Sequence, residues 1–166
     1  MKKSLLLSGM IALITTTNTH TTEQGRPEIY QKIDSIVATA RNWGAAFDDI
    51  FALLKREKNT VDINDYRSGD KQQTLLYIAV DKSNLRDAEK LLKEYHANPN
   101  LGDRKKTPLM NASSSEEIPM IKLLLKYGAN PYLKDDEGLT SFDYVDDDYP
   151  DDAHKILKLL NSYEKR

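Results

Sequence analysis

The feature that most constrains this chain is a repetition of period 33. Thr74, Thr107 and Thr140 lie 33 residues apart, and Asp70, Asp103 and Asp136 each precede one of them by four. Two residue types in phase over three periods mark a repeat architecture, in which each unit buries its apolar face only against its neighbours. The apolar positions keep the phase. Leu76, Leu109 and Phe142 follow each threonine by two, and Ala79, Ala112 and Val145 by five. With the same shift Leu85, Ala88, Leu91 and Leu92 map onto Ile118, Ile121, Leu124 and Leu125. A shift of 35 carries those onto Ala153, Ile156, Leu159 and Leu160, the two extra residues falling in an Asp-rich connection.

Each unit reads as two short helices. Threonine is a good N-cap because its hydroxyl accepts from an orphan N–H of the first turn, so a helix is expected to start at Thr74, Thr107 and Thr140. Pro108 takes the first helical position, where its missing N–H costs little. The small Ala79 and Ala112 sit where neighbouring helices approach. A polar break follows (Asp81 to Asn84, Ser113 to Ser115, Asp146 to Asp148), and a second helix carries the leucine pairs. Pro119 falls in the first turn of that helix and is tolerated there. Gly128 stands where a left-handed cap is needed, and His96 takes the same place one unit earlier.

These residues resemble the ankyrin repeat family. Thr107-Pro108-Leu109-Met110-Asn111-Ala112 looks like its TPLHxA helix start, and Leu123-Leu124-Leu125-Lys126-Tyr127-Gly128-Ala129-Asn130-Pro131 like its LLLxxGAxP ending. Leu91 to Asn100 is a one-residue-longer version of the ending, and Asp135-Asp136-Glu137-Gly138-Leu139-Thr140 matches the DxxGxT hairpin. The likeness runs from about Val61 to Leu160 and is most specific in the middle unit. Tyr77, Met110 and Asp143 replace the family's histidine, and Leu75 and Ser141 its proline; the resemblance implies that these changes remove a hydrogen bond that stiffens the inner-helix start. It further implies an all-α solenoid of stacked antiparallel helix pairs joined by β-hairpin-like loops. Residues 65–102 and 103–134 form repeats, and 135–166 a degenerate last repeat and cap.

Before the repeats, residues 27–64 read as a helix pair, either a degenerate first repeat or a cap. Ile29, Ile33, Ile36, Val37 and Ala40 form one apolar stripe, with Pro27 at its start and Gly44 as its stop. Phe47, Ile50, Phe51 and Leu54 form the next, with Ala45 and Ala46 allowing close approach and Lys55 and Arg56 suiting its negative end. Asp48 and Asp49 complement the dipole at its start. Leu53-Leu54 and Val61-Asp62-Ile63-Asn64 imitate a repeat ending. Further upstream, Lys2 and Lys3 precede the apolar run Ser4 to Ile14 and then a polar tract. That run is too short to anchor stably in a bilayer and fits a secretory signal peptide over residues 1–19, followed by a polar linker over 20–26. The alternative is a buried N-terminal helix. No A-x-A site occurs in the polar tract after the run; Thr17 and Thr19 offer the small residues that cleavage needs. Cleavage would make the chain secreted or periplasmic, the product of a bacterium-like cell; without it the chain is cytoplasmic.

Composition then limits function. No cysteine means no disulfide frame, thiolate zinc site or cysteine nucleophile, and a formal charge of −2 argues against nucleic acid as a partner. No phosphate-binding glycine loop, GxSxG or HExxH occurs. A calcium loop before Gly138 fails because Leu133 and Tyr144 stand where oxygen ligands belong. His20, His96 and His154 are the only histidines, and His154 with Asp151 is a helix-face pair rather than a base with its orienter. No catalytic residue, cofactor or metal is therefore expected. The resemblance implies instead a monomeric protein-binding module that uses hairpin tips and the exposed side of the inner helices. The tips are Tyr66, Arg67, Lys71, Gln72, Arg104, Lys105, Asp135 and Glu137; the helix positions are Ile78, Asn111 and Tyr144, with Asp81, Ser114 and Asp147 one turn on. Each of these also has a plainer reading as ordinary solvated surface. Charge is unevenly spread. Lys134 to Asp152 holds nine acids and one base, a net of −8, leaving +6 for the rest, so a basic partner would be steered to the last repeat. The acids also suit the N-terminus of the final helix. Other readings are a regulatory or inhibitory subunit of an enzyme complex, an enzyme whose site is completed by another chain, and an intracellular scaffold that keeps its N-terminus.

Overall fold

The computed structural model describes residues 27–57, 61–146, 148 and 150–163. The signal-like segment, the linker and Asp147 therefore lie outside the described residues. Among the described residues seven helices follow one another: α1 (Glu28–Thr39), α2 (Trp43–Arg56), α3 (Leu75–Asp81), α4 (Leu85–Glu94), α5 (Pro108–Ser114), α6 (Ile118–Lys126) and α7 (Pro150–Asn161). No strand occurs among the described residues; an isolated bridge pairs Ser68 with Gln73. Helices α3 and α5 are the inner members and α4 and α6 the outer members of two stacked pairs. Contacts run within pairs and between neighbours, α3 against α5, α4 against α6 and α6 against α7. The fold is an all-α solenoid.

One apolar cluster runs through the stack from Ile29 and Ile33 through Leu76, Ala79 and Leu91 to Leu124, Ile156 and Leu160. Ala79, Ala88 and Ala112 are buried at the helix contacts, where a larger side chain would force the layers apart. The Thr74 hydroxyl accepts from the Tyr77 N–H at 3.1 Å and that of Thr107 from Met110 at 3.3 Å, so both cap as expected. Pro119 occupies the second position of α6. Gly128 has φ 89° and His96 φ 53°, both left-handed, and the Ala129 N–H closes the α6 cap on Leu124 O at 3.0 Å. The polar break between inner and outer helices needs a left-handed residue too. Ser83 and Glu116, 33 apart, supply it with φ 52° and 53°.

Three local expectations are corrected. Thr140 starts no helix: residues 141–144 form only a turn, although the Asp143 carboxylate takes both the N–H and the hydroxyl of Thr140 at 2.7 Å. Gly44 does not stop α1. The break falls at Ala40, whose ψ of 117° is extended, and Asn42 caps α2 by accepting from the Ala45 N–H, leaving Gly44 inside that helix. The missing family histidine leaves no gap at two of its three places. Met110 Sδ accepts the Thr107 N–H at 3.3 Å and Asp143 does the same for Thr140, while Thr74 turns its N–H to Gly102 O of the next unit.

Asparagines tie the layers together. The Asn64 side chain donates to His96 O and accepts from the Asn98 N–H at 2.7 Å; Asn100 donates to Gly128 O and accepts from the Asn130 N–H at 2.8 Å. Asn64 thus does for the first helix pair what Asn100 does for the next.

Candidate functional site

The first two hairpin tips are joined by a backbone hydrogen bond and the second and third by an exposed ion pair. The Arg104 N–H donates to Lys71 O at 3.1 Å, and Lys105 Nζ lies 3.8 Å from Asp136. Within the middle hairpin, Asp103 accepts from the N–H groups of Lys105 and Lys106, which turns the Lys105 side chain outward. Lys71, Arg104 and Lys105 are exposed on the first two tips and Asp136 and Glu137 on the third. The ridge is basic at one end and acidic at the other.

The third tip is held by Asp135. Its carboxylate accepts the N–H groups of Glu137 and Leu139 and the Tyr144 hydroxyl at 2.6 Å. The Tyr144 hydroxyl, foremost, holds the Asp135 carboxyl below the usual carboxylate range, and the same bond pushes the Tyr144 phenol up to about 12. Lys106 Nζ lies 4.1 Å from the centre of the Tyr144 ring. These bonds spend the oxygens that a cation would need. Among the described residues no group of three His, Asp or Glu is placed to hold a metal ion.

The side of the inner helices is less open than expected. Asp81 and Ser114 are exposed and Asn111 and Tyr144 half-buried, but Ile78 is 2% exposed. Six consecutive residues of α3, Leu75 to Val80, are buried, since this helix is packed on more than one side. Burial, and then the carboxylate of Asp103, pushes the Tyr77 phenol up. Tyr66 is also misplaced by the sequence reading. Its side chain is fully buried under α1, edge-on to Tyr30 at 5.5 Å, with its hydroxyl donating to Asp34 at 2.8 Å. Neither Tyr66 nor Ile78 can offer its side chain to a partner at the surface. Arg67 is half-buried, its guanidinium donating to Asn64 O and Tyr66 O. With Gln72 it lines a groove of about 800 Å3 between α1 and the first hairpin, opposite Asp34 and Val37.

Sequence reasoning passed over Lys106, Asp103 and the aromatic group Tyr132, Phe142 and Tyr163. Asp103 had entered only as one of the in-phase aspartates of the 33-residue period. Among the described residues no helix is long and apolar enough to cross a membrane.

Stacked helix pairs, a bonded row of hairpins and an asparagine ladder define a repeat protein of the ankyrin class. A family model described as ankyrin repeats (3 copies) matches residues 37–135, more than half of the chain, which therefore belongs to the ankyrin repeat family, whose repeats are protein–protein interaction modules. The chain is 34% identical over 101 residues to the Ankyrin repeat and LEM domain-containing protein 1 homolog of Caenorhabditis elegans. The match takes in 60% of this chain and 13% of that protein, so this chain spans a small part of its curated relative. In fold it is similar to the crystal structure of the human ASB11 ankyrin repeat domain, with a TM-score of 0.57 and 21% identity, covering 88% of this chain and 57% of that one.

Proposed function

We propose that this chain is an exported, monomeric, non-enzymatic module that binds a protein partner through its hairpin ridge and the open part of its inner-helix side. The observation that carries this reading is the ridge itself. Lys71, Arg104 and Lys105 are exposed on tips held in register by the Arg104 to Lys71 backbone bond, and the next tip presents Asp136 and Glu137. A rigid row of this kind orders few side chains on binding, so little of the contact energy is lost. Its two-signed charge suits a partner that is acidic towards the first two tips and basic towards the last. Asp81, Asn111 and Ser114 flank it with short polar side chains suited to hydrogen bonding. Export rests on the basic and apolar start of the sequence.

The test is capture of partners by the processed chain, compared with a variant carrying Lys71→Glu, Arg104→Glu and Lys105→Glu. Loss of a specific partner supports the ridge, and an unchanged set removes it. N-terminal sequencing of the natural product decides export, since an intact Met1 excludes cleavage.

A further inference from the structure

We propose that the Tyr132, Phe142 and Tyr163 face at the C-terminal end of the stack binds an Arg- or Lys-rich segment of a protein partner, with one cationic side chain lying over Tyr132. The proposal rests on the reading of the chain as an interaction module and adds to it a contact away from the ridge. Tyr132 is 50% exposed, the most open large apolar side chain among the described residues. Yet its ring is fixed in place. It packs on Phe142 at 5.4 Å with a tilt of 32° and edge-on to Tyr163 at 6.3 Å. A ring held by two others loses little freedom when a ligand covers it.

The same chain shows what such rings take. Lys90 Nζ sits 4.0 Å from the centre of Phe51, which stacks on Tyr95 at 5.3 Å, and Lys106 sits over Tyr144. Tyr132 repeats the arrangement of one ring backed by another, but no Lys or Arg among the described residues lies over it. The nearby charge in sequence is negative. Asp135, Asp136 and Glu137 follow Tyr132 within five residues, Asp143 adjoins Phe142 and Glu164 adjoins Tyr163, five acids against the three bases Lys134, Lys165 and Arg166. Asp136 is shared with Lys105; Glu137 and Asp143 are exposed. An aromatic face in a negative field attracts cations and repels acidic chains.

The experiment titrates the full chain with octa-arginine at physiological salt, with octaglutamate as the control, following tyrosine ring resonances by NMR and affinity by calorimetry. The expected result is saturable octa-arginine binding that shifts the Tyr132 and Tyr163 rings, weakened about fivefold by Tyr132→Leu and changed less than about twofold by Tyr132→Phe. Absence of binding, equal affinity for Tyr132→Leu, or shifts confined to other parts of the chain would each overturn it. If Tyr132→Leu unfolds, the ring shifts of the unsubstituted chain and the Tyr132→Phe titration decide alone. The triple ridge variant is titrated in parallel. Octa-arginine binding that survives in it while partner capture does not separates the two surfaces, and an end face that fails leaves the ridge reading intact.

Discussion

Gly102→Ala is the substitution whose effect the structure specifies most sharply. A Cβ at this position would stand 1.8 Å from Lys106 O, 2.8 Å from Lys106 C and 2.9 Å from Thr107 Cα. All three are backbone atoms, so no rotamer relieves the overlap. To admit the methyl group the hairpin must open, which strains two bonds: Asp103 N–H to Lys106 O at 3.1 Å, and Thr74 N–H to Gly102 O at 3.2 Å, the link between successive repeats. Each such bond is worth about 1 kcal/mol, and displaced backbone adds about 1–3 kcal/mol, so a loss of roughly 3 kcal/mol is expected. That is a large share of the roughly 5–15 kcal/mol that holds a domain folded. Gly128→Ala is the control. Nothing lies within 4 Å of its Cβ and only its φ of 89° opposes the change, a penalty of about 1–2 kcal/mol. In urea, with a slope near 1.5 kcal/mol per molar, the midpoint should fall by about 2 M for Gly102→Ala and by about 1 M for Gly128→Ala. Circular dichroism follows all the helices, while the single Trp43 in α2 reports the N-terminal end, so coincidence of the two curves checks that the stack melts as one unit. If Gly102→Ala is no worse than Gly128→Ala, the steric argument is wrong.

Two further outcomes follow from the last repeat. Restoring the family's proline by Ser141→Pro should destabilise by about 1 kcal/mol, because the Ser141 N–H donates to Pro131 O at 3.2 Å and proline has no N–H to give; a raised melting temperature would contradict this. The Asp143 carboxyl is held below its usual range by the hydroxyl and N–H of Thr140. A depressed carboxylate adds stability above its unfolded pKa of about 4 and loses it as pH falls through the folded value, so the gap between the unsubstituted chain and Asp143→Ala should close below about pH 4. A gap of constant size from pH 6 to pH 2 would refute the assignment.

What was legible in the sequence is what depends on near neighbours along the chain. The caps at Thr74 and Thr107, Pro119 in a first turn and the left-handed places of His96 and Gly128 each follow from a few adjacent residues, and the period of 33 followed from their recurrence. Tyr66 and Ile78 show where that logic stops. Both occupy positions that the family resemblance assigned to the surface, and Tyr66 is buried because of residues far off in sequence, Asp34 and Tyr30. Thr140 had the spacing of a helix start and has the Asp143 contact of a cap, yet the segment ends after a single turn.

The sequence by itself determined the unit: two helices, a polar break, a hairpin, and the need to stack. Repetition suffices for this, since each unit's apolar stripe has no other place to go. The tertiary structure decided how units join and what they leave open. It set the Arg104 to Lys71 bond that lines up the tips, the close approach that demands glycine at 102, and the half-exposed Tyr132 at the end of the stack. Those depend on distances in space, whether between units, as from Lys71 to Arg104, or across one tight hairpin, as from Gly102 to Lys106, which a sequence pattern orders but does not measure.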